Sequence, residues 1–422
     1  MTVEQEILQV FSDKKIYLYG AGKIGRSVAW YLLHAGMDVK GVIVSDIANN
    51  VPIEGLPLYD IDSFQLPEDA YIVLAVGKKF YLEILDLLLK KGFQNIIQIP
   101  DKQKQWMHQC QLEHAYADCA NGYGISFSRP YSEAGMGIIY DEKTDEALFR
   151  VIEYQEETKA EQVAQVCTRE NFEALYGPLR ILPHKEQETE SDFETENVEI
   201  YVATSHFDQM SFVKREGMFA PLQVGAALTG KRKGCQTDNE GDHISGENAN
   251  YCECTGLYWV WKNTSGQDYV GLNHYRRRLE LSTEDMAFVK AQGCDMVLAL
   301  PQYGSMKVKN FFAGRLITKL DWDLMCQFVC AYDTGYDAVI QKYEAGDIYI
   351  SCNLFVAKRE WFDRYCTFAF SVAKQIDDYY KQRNIIRNDR YMGYIFENLL
   401  SMFVMRYYDK MKILFTTVKW IG

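Results

Sequence analysis

DYVGLNHYRRR, residues 268–278, decides the reading of this chain. Its first part reads as a β-strand. Its end delivers a basic cluster, His274-Tyr275-Arg276-Arg277-Arg278. A strand that ends in charged groups matters because open α/β sheets bind ligands outside the carboxyl ends of their strands. Just upstream, LYWVWKN (257–263) belongs to a run, NYCECTGLYWVWKN, that reads as one helix. Before it comes a polar loop, Asp238-Asn239-Glu240-Gly241-Asp242-His243-Ile244-Ser245, followed by Glu247-Asn248 and Tyr251-Cys252-Glu253.

Further out, VEIYVATS (198–205) is an expected strand running into a polar turn, and CDMVLALP is another strand-like run. REWFDRYCTFAFSVAKQI and YMGYIFENLLSMFVMRYY have helical spacing. The expected second fold therefore covers 198–422. Residues 106–197 are expected to form a connecting region. TDEALFRVIEYQEETKAEQVAQV within it has helical spacing, and the acidic stretch HKEQETESDFETEN (184–197) is the best linker in the chain. Residues 1–105 alternate strand-like and helix-like runs: KIYLYG, IGRSVAWYLLHAG, VKGVIVSD, YIVLAVG, FYLEILDLLLKKG and NIIQI. That order indicates βαβ units and a parallel sheet. The expected fold class is α/β, with a Rossmann-like first domain.

With 422 residues the chain exceeds what one hydrophobic core supports. Its 45 basic and 58 acidic residues give a net charge of −13. This argues against a nucleic-acid partner, which wants a basic footprint, while leaving room for the local cluster at 274–278. The N-terminal MTVEQEILQVFSDKK is not expected to be a signal peptide, because Glu4 and Glu6 precede any apolar run. Eleven cysteines without a secretory signal point to reduced thiols in a cytoplasm.

Gly20-Ala21-Gly22-Lys23-Ile24-Gly25 fits G-x-G-x-x-G after a strand and before a helix. Gly20, Gly22 and Gly25 allow a tight turn and close approach to a diphosphate, and Asp46 at the end of the second strand is a candidate for a ribose hydroxyl. Tyr19/Lys23 is the only Tyr-x-x-x-Lys spacing in this domain and lies inside the loop itself. NAD-dependent redox chemistry on a sugar nucleotide is therefore the weaker alternative to nucleotide or nucleotide-sugar binding.

Two resemblances follow. YGAGKIGRSVAWYLLHAG, VKGVIVSD and IEGLPLYDID are similar to the N-terminal domain of bacterial sugar acyltransferases and other polysaccharide-biosynthesis enzymes. In some of these the domain binds a nucleotide-sugar. The hexapeptide-repeat helix of the acyltransferases is absent here, so acyl transfer is not implied. From Val198 on, VGAALTG, DNEGDHIS, N-x-x-Y-C-E, LYWVWKN and YVGLNHYRR resemble bacterial capsular, exopolysaccharide and O-antigen glycosyltransferases with a GT-A-like fold. The resemblance continues in Cys352-Asn353-Leu354-Phe355, Tyr365-Cys366 and Arg390-x-x-Gly393-Tyr394-x-x-Glu397. It implies transfer of a sugar from a nucleotide donor, a UDP-sugar first, to a growing surface polysaccharide. UDP-galactofuranose is one candidate donor, and a lipid-linked acceptor is the expected partner. The family's late Glu-Arg-Leu reads Glu397-Asn398-Leu399 here, which leaves the arginine's role without a carrier.

The order of elements matches GT-A enzymes, but the strand that would end in a metal-holding D-x-D ends in His274 to Arg278. Arginine forks neutralise a diphosphate directly. Arg276 and Arg277 are thus expected to replace the metal wholly or partly, and a divalent cation is left open. Asp238 and Asp242 are candidates for sugar or ribose hydroxyls; Thr204 for the base or ribose; Asn248 and His274 for the donor. An inverting transfer needs a carboxylate to deprotonate the acceptor hydroxyl, and Glu397 and Asp242 are the candidates. A scaffold that binds a nucleotide-sugar without catalysis is the other alternative.

Three further signals carry less weight. Asp321-Trp322-Asp323 is formally D-x-D but sits at an expected loop–helix junction. His108, Cys110, His114 and Cys119 lack metal-ligand spacing. The basic and aromatic residues from Arg406 to Trp420 fit either peripheral contact with an anionic membrane or a solvated helix face.

Overall fold

The computed structural model describes residues 3–116, 136–140, 149–155, 160–167, 169–183, 197–205, 212–303 and 306–420, except Asn49 and Glu54. The expected linker 184–197, apart from Asn197, and His206 lie outside the described residues. The chain divides into two compact α/β units.

The first unit holds the described residues up to Tyr116, together with Thr318–Leu320 and Asp377–Asp389. Its sheet has strands β1 (Lys15–Tyr19), β2 (Asp38–Val44), β3 (Leu58–Asp60), β4 (Ala70–Leu74) and β5 (Ile96–Gln98) in the order β3-β2-β1-β4-β5. Every pairing is parallel. Ile16, Leu18, Val28, Leu32, Val42 and Val73 form part of its core. Five strands stand where four were expected. The extra one is three residues long, too short to show a period.

Gly20 has φ +113°, and a Cβ on Gly25 would lie 1.9 Å from the Gly20 carbonyl oxygen. The loop is closed on itself backbone to backbone, so even a methyl group forces it open. Gly25→Ala is expected to destabilise this unit by more than about 2 kcal/mol; unchanged melting of the unit would contradict this. The late segment covers the sheet's edge: the Asn95 and Gln98 N–H groups donate to the Arg383 and Ile386 carbonyls at 3.0 Å each, and Ile386 N–H donates to Ile96 at 2.8 Å. An edge strand otherwise offers these groups to any passing chain.

The second unit begins with an antiparallel sheet of β6 (Met136–Tyr140), β7 (Phe149–Gln155) and β8 (Ala160–Cys167). The helix expected across 144–166 is therefore corrected to strands over 149–155 and 160–166; its other residues lie outside the described residues. The apolar positions Phe149 and Val151, then Ile152 and Tyr154, are two period-2 runs joined out of phase. The break coincides with a register shift between Val151 and Ile152. A bulge of this kind makes a strand's spacing imitate a helix.

The main sheet contains β9 (Val198–Ser205), β10 (Phe219–Val224), β11 (Gln236–Thr237), β12 (Tyr269–His274), β13 (Arg277–Leu279) and β14 (Met296–Ala299). A two-stranded piece, β15 (Gln302–Tyr303) with β16 (Ile348–Tyr349), stands apart. β17 (Phe355–Lys358), β18 (Ile413–Thr416) and β19 (Val418–Trp420) complete the main sheet. Its order is β11-β10-β9-β12-β17-β14-β18, with β13 bridging β12 and β19. β9, β10, β11 and β12 run parallel, and β17 is antiparallel to both β12 and β14. A Cβ on Gly271 would fall 2.4 Å from the Phe355 carbonyl oxygen, so β12 and β17 close only over a residue without a side chain. The helix Tyr391–Tyr407 is buried along most of its length.

Three aromatic residues of the expected C-terminal surface are interior. Tyr407, Tyr408 and Phe415 are buried, and Arg406 pairs with Asp333 at 3.1 Å. Lys410, Lys412 and Lys419 are exposed, with Lys410 Nζ 5.8 Å from the Tyr407 ring. Among the described residues no helix is long and apolar enough to cross a membrane.

Candidate functional site

β9 has β10 on one flank and β12 on the other, so the direction of winding reverses between β9 and β12. Ligands of open α/β sheets sit at such a reversal, beyond the carboxyl ends of the strands. β12 ends there in His274. Because β17 runs the opposite way, with Leu272 opposite Phe355, the residues just before it reach the same edge. These are Cys352, Asn353 and Leu354.

A carboxylate pair forms here. The run expected to be one helix is two, Asn248–Tyr251 and Cys254–Asn263, broken at Cys252 with φ +53° and ψ −130°. The break frees Glu253 from the helix. Asn353 Nδ2 donates to Glu253 Oε1 at 2.9 Å, and His274 Nε2 lies 3.6 Å from the same oxygen. Cys352 (φ +67°), Asn353 (φ +51°) and Arg390 (φ +63°) are also left-handed. Non-glycine residues take that conformation at a cost, and such strain clusters at functional sites.

Glu397, on the helix Tyr391–Tyr407, is the second carboxylate. Burial and the charge of Glu253 push its pKa up to about 8, against the pull of the Cys352 backbone N–H, Arg277 and Arg390. His274 is shifted the other way: burial, helped by Arg277 and Arg390, outweighs the attraction of Glu253 and lowers its pKa. His274 is therefore a neutral imidazole at pH 7. A raised carboxyl and a lowered imidazole thus meet at one sheet edge, and perturbed groups of this kind concentrate at functional sites.

The three consecutive arginines diverge because Tyr275-Arg276 forms the turn between β12 and β13, where His274 pairs with Arg277. Arg277 NH1 donates to Cys352 Sγ at 2.8 Å. Arg278 pairs with Glu216 at 3.2 Å and lies 4.6 Å over the Phe212 ring. Arg276 is exposed and stacks 5.5 Å from the Tyr275 ring. A fourth arginine, Arg390, donates from Nε to Cys252 Sγ at 3.2 Å.

The remaining expected residues fall elsewhere. Asp238 is fully buried, and its carboxylate accepts four donors: Gly225 N–H (2.9 Å), Ala226 N–H (3.0 Å), Thr255 Oγ1 (2.7 Å) and Ser245 Oγ. With its lone pairs taken, it braces the turn after β10, so contact with a sugar or ribose hydroxyl is withdrawn. Thr204 is buried with its hydroxyl on the Phe212 carbonyl at 2.9 Å. Asn248 donates to the Cys252 carbonyl and to Thr255 Oγ1 (2.9 Å), and so buttresses the helix break. Asp242 is exposed; it accepts from Tyr258 OH at 3.1 Å, and its backbone is clamped by Asn263. Trp259 is buried and donates to the Glu240 carbonyl at 2.8 Å.

In the first unit Gly22 caps the helix Lys23–His34 without a side-chain bond, and Asp46 Oδ1 accepts from Ala48 N–H at 2.9 Å. Tyr19 is buried with its hydroxyl against Ser45 Oγ.

Glu253 and Arg390 are the residues sequence reasoning left without a role. The signal for Glu253 was its place in N-x-x-Y-C-E, masked by the reading of a continuous helix. Asp321-Trp322-Asp323 lies in the first turns of the helix Lys319–Tyr332 with Asp321 buried, so it presents no pair of carboxylates at a strand end. His108 Nδ1 meets Ser27 Oγ at 2.9 Å; Cys119 and the side chain of His114 lie outside the described residues. Among the described residues no group of three His, Cys, Asp or Glu side chains is spaced to hold a metal ion.

Residues 199–408 match the model of a family described as a domain of unknown function (DUF4422). Among solved structures, the apo form of the bifunctional glycosyltransferase WbbM is 24% identical, with a TM-score of 0.47; the match covers 54% of this chain and 45% of that one. Core-mannan synthase A from Aspergillus fumigatus, in a Mn/GDP form, is 8% identical with a TM-score of 0.30, covering 69% of this chain and 89% of that one. A Rex-family repressor, RSP, is 15% identical with a TM-score of 0.20 over 27% of this chain and 65% of that one. The chain thus spans less than half the length of the WbbM chain. No curated protein matches it.

Proposed function

We propose that the second unit is a glycosyltransferase that moves a sugar from a nucleotide-sugar donor to a hydroxyl acceptor in bacterial surface-polysaccharide synthesis. The supporting observation is the Glu253/Glu397 pair at the reversal between β9 and β12, with Glu397 poised near pKa 8 and Arg277 and Arg390 in electrostatic reach. Glu397 takes the proton of the acceptor hydroxyl as its oxygen bonds to the anomeric carbon. The bond from that carbon to the nucleotide diphosphate breaks, and the arginines stabilise the departing charge. Asp242, exposed and held by Tyr258, is the weaker candidate for the base.

The family resemblance makes UDP-sugars, UDP-galactofuranose among them, the first donors to test, with a lipid-linked oligosaccharide as acceptor at the cytoplasmic face of the membrane. Gly20, Gly22, Gly25 and Asp46 are the proposed nucleotide contacts of the first unit. Exposed Ile47, Val51 and Phe80 follow β2 and β4 and offer apolar surface to a base.

The test is release of UDP from a panel of UDP-sugars by the full chain. We expect activity on at least one donor, persistence in EDTA, and a loss of about 100-fold or more in Arg277→Ala. Donor binding without release would favour the non-catalytic scaffold, and NAD(H) co-purifying with the protein would favour the oxidoreductase.

A further inference from the structure

Asn353 is fully buried, its backbone is left-handed at φ +51°, and its Oδ1 has no hydrogen-bond partner. A left-handed non-glycine residue and an orphaned buried oxygen each cost stability. The Nδ2 end faces acceptors: Glu253 Oε1 at 2.9 Å, the Gly393 carbonyl at 3.5 Å and Cys254 Sγ at 3.6 Å. These fix which way the amide points. Among the described residues Nδ2 is the one hydrogen-bond donor to the Glu253 carboxylate, since His274 Nε2 stands off at 3.6 Å.

We propose that Asn353 is a positioning residue that holds the Glu253 carboxylate beside Glu397, and through it strengthens Glu397 as a proton acceptor. This rests on the reading of the site given above. Two carboxylates repel, so one held by a single donor turns away when that donor is removed. An amide suits the task because it holds the oxygen without cancelling its charge; a lysine or arginine there would neutralise it. Of the groups that act on Glu397, the thiols of Cys252, Cys254 and Cys352 and the phenols of Tyr343, Tyr349 and Tyr394 are pushed upward, mainly by burial, and stay neutral at pH 7. The charged ones are Glu253, Arg277 and Arg390. Both arginines pull the Glu397 proton off, and burial together with Glu253 outweighs them.

The test needs no substrate. Each form of the full chain is paired with the same form carrying Glu397→Gln, and the stability difference within the pair is read from urea midpoints between pH 4 and 9. That difference grows as pH rises and levels off at the pH where folded Glu397 loses its proton, about 8 in the wild type. The forms are wild type, Asn353→Gly, Glu253→Gln and the double variant Asn353→Gly/Glu253→Gln. Glycine removes the amide and accepts the left-handed backbone. We expect Asn353→Gly to level off about one pH unit or more below wild type, a tenfold loss of proton affinity. The double variant should level off no lower than Glu253→Gln alone, because Asn353 has no charge left to hold in place.

A merely structural Asn353 would lower stability equally at every pH and leave the levelling point unmoved, which overturns the proposal. Should Asn353→Gly fail to fold, Asn353→Ser, one atom too short to reach Glu253, carries the same comparison; failure of both assigns Asn353 to the framework and overturns its positioning role. Release of UDP from no donor overturns the transfer reading alone. A wild-type pair whose difference does not change with pH overturns both.

Discussion

Glu397→Gln should cut transfer by about 10²- to 10⁴-fold with little change in donor affinity, because it removes the proton acceptor and keeps the shape. The pH profile gives the sharper signature. A base acts when ionised, so kcat/KM of the wild type should rise with pH through about 8 and level off above it. Burial raises this value most and Glu253 raises it further, while the Cys352 N–H, Arg277 and Arg390 lower it. Removing the repulsion in Glu253→Gln should move the rise to lower pH, and removing Arg390 should move it higher. A rate that falls through the same range would assign Glu397 the role of an acid.

The same substitution should stabilise the protein. The folded pKa of Glu397 lies above its unfolded value of about 4.5, so the folded state holds the proton over a range where the unfolded chain has lost it. Between about pH 4.5 and 8 the wild type therefore loses stability as pH rises, at up to roughly 1.4 kcal/mol per unit. Glu397→Gln has no such term. Its advantage should be nil below about pH 4 and reach about 4 kcal/mol near pH 8, readable from urea midpoints at the two pH values. Equal stability at both would mean that the carboxyl is not constrained by its surroundings.

Asp238→Ala should have the opposite balance, a large loss of stability. It strips a fully buried carboxylate from two backbone amides and two hydroxyls, and none of the four has water to turn to. The expected cost is about 3–5 kcal/mol. Asp238→Asn should recover only part of it, because an amide nitrogen would face a donor. A folded Asp238→Ala protein of wild-type stability that has lost donor affinity would restore the role in binding hydroxyls.

The difference between these two acids shows how far the sequence is legible. Both were readable as acids in distinctive motifs, and their type and spacing are equally suited to chemistry. What separates them is the number of donors that reach each one, and those come from Gly225, Ala226, Ser245 and Thr255, which only the fold assembles. The strands were legible where apolar runs end at turn residues, as in β1, β9 and β12. They were illegible where a register shift broke the period, as in β7. Glu253 was hidden because NYCECTGLYWVWKN has good helical composition and nothing in it announces the left-handed residue at Cys252. Arg276, Arg277 and Arg278 are identical on paper, yet a hairpin turn sends one to solvent, one to the carboxylates and one to Glu216.

The return of Asp377–Asp389 to the first unit bears on how this protein can be cut and recombined. The two units are not consecutive beads on a string. A fragment ending at Tyr116 would leave β5 with the N–H groups of Asn95 and Gln98 unmet, and a fragment starting at Val198 would carry away the stretch that meets them. Exchanging the front unit for another nucleotide-binding module is then an operation on three separate stretches of the gene, and a graft that moves only the first would leave a sticky sheet edge behind.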